Sequence, residues 1–96
     1  MNKITQVIWT RQARETLKEI LEFRYKDVPI AKNIVRQDII DATKTISFPK
    51  QYQKDIYFPQ YRKITVRDYR ILYKSEENIA YIMNVVCSKA GKSSEK

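Results

Sequence analysis

The sequence predicts an α+β domain in which a two-helix antiparallel hairpin packs on one face of a small antiparallel β-sheet, in the order β-α-α-β-β-β. Apolar residues recur at helical spacing in two successive stretches between residues 11 and 47. They alternate at strand spacing from residue 61 onward, and a β-branched and aromatic segment precedes the first helix. A chain of 96 residues has room for one small core, so residues 1–89 read as a single domain. The last stretch, 90–96, has no apolar residue beyond alanine and contains the only glycine, and it reads as a flexible tail.

Each element follows from its residues. Ile4 to Trp9 suits a first strand, and the hydroxyl of Thr10 can cap the helix that follows. The first helix is predicted over Arg11 to Lys26, with Ala13, Leu17, Ile20 and Leu21 forming one stripe that Phe23 and Tyr25 widen. Asp27-Val28-Pro29 stops it and starts another, with Asp27 as a cap and Pro29 in the first turn. The second helix is predicted over Pro29 to Ser47, with Ala31, Ile34, Val35, Ile39, Ala42 and Ile46 on its buried face, ended by Pro49. Helices joined so closely pack as an antiparallel pair. Residues 49–60 hold two prolines and no period, which predicts an ordered loop pinned by Tyr52, Tyr57 and Phe58. Three strands follow, Tyr61–Val66, Tyr69–Lys74 and Ile79–Ser88, with a polar turn at Ser75–Asn78. The last is apolar at both parities, as a central strand should be.

Charge narrows the partner. The chain carries a formal +8 with a pI near 9.7, and from Pro49 to Lys74 seven cations stand against Asp55 and Asp68, a net +5. A polyanion or an acidic partner is what such a surface meets. One cysteine, Cys87, cannot close an internal disulfide, and there is neither a signal-like N-terminus nor an apolar run of membrane-spanning length. A cytoplasmic location with no membrane partner is expected.

The stretch YRKITVRDYRILYK, Tyr61 to Lys74, sets cations between apolar and aromatic residues at strand spacing. Arginines held by a sheet keep their fork geometry and are good phosphate ligands. Arg62, Arg67 and Arg70 are therefore the candidates for neutralising charge on phosphorus, with Lys63 and Lys89 as lysines whose pKa neighbouring cations would lower. Lys50, Lys54 and Lys74 are candidate nucleic-acid contacts, and Tyr52 and Tyr57 are candidate base-stacking residues. With no histidine in the chain, proton abstraction has no clear owner. The carboxylate pairs Asp38/Asp41 and Glu76/Glu77 have no third ligand near in sequence, so neither a metal nor any other cofactor is expected.

The strand order, the pattern V-I-W-T-x-x-A-x-x-x-L from Val7 to Leu17, and Tyr69-Arg70-Ile71-Leu72-Tyr73 together resemble the RelE/ParE superfamily of bacterial toxins over nearly the whole chain. The resemblance implies a growth-inhibiting toxin of a type II toxin–antitoxin module, neutralised by a cognate antitoxin. RelE-like members act as mRNA interferases on the ribosome, whereas ParE-like members poison DNA gyrase without hydrolysis. Arg70 matches an arginine found in both branches, and Lys89 lies near the C-terminal arginine of RelE-like members. Arrest of translation through a basic cleft on ribosome-bound mRNA is the first expectation. Gyrase inhibition is the alternative, and a degenerate, non-toxic basic binding module is the third.

Overall fold

The computed structural model describes residues 3–87, so Lys89 and the expected tail lie outside the described residues. The order is β1 (Gln6–Trp9), α1 (Arg11–Arg24), α2 (Pro29–Thr43), β2 (Arg62–Val66), β3 (Tyr69–Glu76) and β4 (Ile79–Cys87). The four strands lie in the order β1-β4-β3-β2. The α+β class and the central position of β4 are as expected. The sheet, however, is mixed: β2-β3 and β3-β4 are antiparallel, and β1 runs parallel to β4.

Thr10 acts as both a helix cap and a weld. Its side chain accepts from the Ala13 N–H at 3.3 Å and its hydroxyl donates to the Ile82 carbonyl at 2.7 Å, so α1 starts from a point fixed on β4. Val28, with no side-chain bond, takes the cap position of α2 that Asp27 was expected to hold, and Pro29 supplies the first turn. The second helix also ends earlier than Pro49 alone would require. Thr45 and Ile46 bond back to Ala42 and Thr43 in tight turns, which buries Ile46 and delivers the Ser47 carbonyl to the Ile4 N–H.

Ala13, Leu17 and Leu21 of α1 and Val35 and Ile39 of α2 meet Ile64, Tyr69, Ile71, Tyr73, Ala80, Ile82 and Val85 in one core. Phe23 and Ile34 were expected in that core but are 83% and 52% exposed, on the flanks of their helices. The alternation in β4 slips where Leu72 faces Asn84 and Tyr73 faces Ile82. That bulge at Met83 lets Ile82 and Val85 both reach the core and turns Asn84 and Val86 away. Both two-residue turns of the sheet carry a residue at positive φ that is not glycine, Arg67 at 54° and Glu77 at 56°. Among the described residues no helix is long and apolar enough to cross a membrane.

Ile82 is wholly buried where β4 meets α1 and β3. Truncation to alanine, Ile82→Ala, lowers unfolding free energy by about 2–5 kcal/mol in urea titration, because both the transfer energy and a cavity are lost.

Candidate functional site

In β3, Tyr69, Ile71 and Tyr73 point to the helices, which leaves Arg70, Leu72 and Lys74 on the other face. Leu72 is nonetheless 1% exposed. The 49–60 loop accounts for this by folding around the β2 edge. Lys54 bridges to Arg62, the Asp55 N–H donates to the Tyr61 carbonyl and the Lys63 N–H donates to the Gln53 carbonyl.

At the turn of that loop Asp55 is buried. Its Oδ2 accepts from the Tyr57 and Phe58 N–H groups, both at 3.0 Å, and its Oδ1 accepts from Arg70 Nε at 2.8 Å. The Arg70 guanidinium lies 5.2 Å from the Tyr57 ring centre. Burial alone would raise the Asp55 pKa. The bonds from Arg70 and from the Phe58 and Tyr57 N–H groups outweigh it and hold the carboxyl below the usual carboxylate range.

The other arginines are engaged elsewhere. Arg62, on the helix side of β2, donates through Nη1 to the Tyr52 carbonyl at 2.7 Å and so ties down the loop's first half. Arg67 leaves the β2-β3 turn for α2, where its Nη2 and Nε meet Asp38 Oδ2 at 2.6 and 3.0 Å. Arg62, Arg67 and Arg70 therefore diverge, to a carbonyl, to a helix carboxylate and to a buried carboxylate, and do not gather in one hollow. Lys63 is half-buried on the Arg70 side, and Lys50 and Lys54 are exposed on the loop. Lys74 lies 3.4 Å from Glu76. Tyr52 packs edge-on against Tyr73 at 6.3 Å and bonds to Thr45 at 2.7 Å, a packing position rather than an open platform. Tyr57, at 74% exposed, remains on display. Among the described residues no group of three or more histidine, cysteine, aspartate or glutamate side chains gathers as a metal site. Asp38 and Asp41 are held instead by Arg67, Gln37 and Lys44.

Between the helices runs a groove of about 610 Å³. Trp9, Leu17, Leu21 and Ile40 supply its apolar wall, and Arg14, Lys18, Lys32 and Arg36 supply its cations against Glu22. At the far end of α1, Arg24 Nη1 lies 3.2 Å from the Tyr69 hydroxyl and 3.0 Å from Cys87 Sγ, which joins the helix to the end of β4.

Residues 7–89 match the family described as the ParE toxin of the type II toxin–antitoxin system parDE. The chain belongs to the ParE toxin family. A solved structure, of the chromosomal ParDE TA system from P. aeruginosa, is similar with a TM-score of 0.68 at 18% identity, over 85% of this chain and 92% of that one, a likeness of fold. No curated protein sequence matches it. For a ParE-family chain the partner class is a cognate antitoxin. The sequence reading of this toxin overlooked Asp55. Its signal was present in a carboxylate inside an otherwise cationic loop, two and three residues ahead of the backbone N–H groups it accepts, an arrangement typical of Asx turns.

Replacing either Asp55 or Arg70 alone by alanine leaves a buried charge uncompensated and costs about 3–5 kcal/mol, whereas the double replacement costs less than the sum. Chemical denaturation of the four proteins gives the coupling. Because the folded pKa of Asp55 is depressed, its contribution is present above the unfolded value near 4 and is lost as pH falls through the folded value. Stability of the wild type therefore falls more steeply below about pH 4 than that of Asp55→Asn.

Proposed function

We propose that this ParE-family toxin arrests growth by binding DNA gyrase, without cleaving RNA. The divergence of Arg62, Arg67 and Arg70 supports the reading, since ribonuclease chemistry on the sheet needs cations converging on one phosphate and a group to take the 2′-hydroxyl proton. Arg70 is tied to a buried carboxylate at 2.8 Å, and the chain contains no histidine to act as base. An inhibitor that works by occupancy needs neither. The antitoxin fits the groove between α1 and α2, where an amphipathic acidic segment would lay its apolar side on the half-buried Trp9 and Ile40, above the buried Leu17 and Leu21, and its carboxylates beside Arg14, Lys18, Lys32 and Arg36.

Induction of the toxin is expected to raise an SOS reporter and stop DNA synthesis before protein synthesis, and the purified protein to inhibit gyrase supercoiling while leaving cell-free translation unchanged. Early loss of protein synthesis with cleaved mRNA would return the reading to the ribosome. A second measurement separates chemistry from folding. The paired replacement Asp55→Leu/Arg70→Met, confirmed folded by circular dichroism, keeps its arrest activity if Arg70 serves the fold, and loses it if Arg70 holds a phosphate.

A further inference from the structure

A second hollow, of about 350 Å³, lies where the 49–60 loop turns back beside β2 and β3, walled by Lys54, Tyr61, Arg62, Tyr73, Lys74 and Ser75 among others. No carboxylate stands among its wall residues. Glu76 is the nearby exception, paired with Lys74 at 3.4 Å where the side chains are 62% and 42% exposed, a contact weak enough to exchange. Arg62 is held in place by its Nη1 bond to Tyr52, and the Lys54–Arg62 bridge sets two cations on adjoining backbones.

The Tyr73 hydroxyl provides an independent pointer. Tyr73 is wholly buried, and its hydroxyl is the one buried side-chain polar atom among the described residues without a hydrogen-bond partner. Such a group costs about 1–3 kcal/mol when left unsatisfied. Tyr73 is also a wall residue of the cationic hollow, so an oxyanion that opened the wall would gain this hydroxyl as a donor.

We propose that this hollow binds the phosphate groups of a nucleic-acid backbone. Hydroxyl, guanidinium and ammonium donors together suit an oxygen-rich tetrahedral anion better than a flat carboxylate. Lys54, Arg62 and Lys74, with Lys50 next to the wall residue Pro49, carry more charge than a single phosphate neutralises, which fits a repeating polyanion. The wall offers no carboxylate and the chain no histidine, so the hollow holds its ligand without hydrolysing it. This proposal stands apart from the gyrase reading, because its test contains no gyrase.

The full chain is titrated with a short labelled DNA duplex of mixed sequence over a range of salt concentrations. The variant Lys54→Ala/Lys74→Ala is expected to flatten the slope of log K against log salt by about 1.8, or about 0.9 for each of two phosphates released. The same charge removed from the helical groove, Lys18→Ala/Lys32→Ala, leaves the slope near the wild-type value. Tyr73→Phe is expected to weaken duplex binding several-fold while its melting temperature stays the same or rises, since an unpaired buried hydroxyl has been deleted. The proposal is overturned by equal slopes in the two lysine pairs, or by a Tyr73→Phe protein that melts lower yet binds duplex as wild type does. It is equally overturned if polyglutamate or inorganic phosphate occupies the hollow while duplex affinity is indifferent to Lys54 and Lys74.

Discussion

The ion pair between Asp55 and Arg70 decides what the basic half of this protein can do. One carboxylate, almost free of solvent, gathers two backbone N–H groups and a guanidinium that crosses from the neighbouring layer. It holds a proline-flanked loop against the sheet face that the helices leave uncovered. The loop in turn occupies the outer edge of β2 through Lys54 and Gln53, an edge that would otherwise offer unpaired backbone groups to another chain. Leu72 is buried although it faces away from the helical core. The arginine of the Tyr69-Arg70 pair is thus tied at 2.8 Å to the carboxylate that holds this loop.

The surplus of positive charge is consequently divided between two surfaces of different character. The helical groove combines cations with an indole and aliphatic side chains, a mixture that favours a folded peptide with one apolar side. The hollow beside β2 and β3 combines cations with hydroxyl-bearing side chains, a mixture that favours oxyanions. Net charge alone could not distinguish these two, because it counts cations without regard to what stands between them.

Much of the architecture was legible from spacing. Ala13, Leu17 and Leu21 mark a buried stripe at helical period, and Tyr69, Ile71 and Tyr73 mark one strand face, because those residues have few other places to go. What spacing could not convey was set by contacts distant in sequence. The bulge at Met83 depends on how β4 meets β3, and the early end of α2 depends on a bond from Ile4 to Ser47. For the candidate site, Arg62, Arg67 and Arg70 could be located on their elements, but the atoms they would reach could not. Asp55 lies 15 residues from Arg70 and Asp38 lies 29 from Arg67, and periodicity carries no information over such separations.

The parallel pairing of β1 with β4 has a consequence for how the protein comes into being. Gln6 lines up with Ile79 and Trp9 with Ile82, so the first strand has no neighbour in the sheet until the last described strand exists. The β2-β3 hairpin also needs β4 beside it, since β4 alone joins it to β1. Loop closure over so long a span is slow compared with hairpin formation. A nascent chain can therefore form the helices and one hairpin early, yet the sheet closes only once β4 has been made, and any activity that requires the closed sheet waits for that strand.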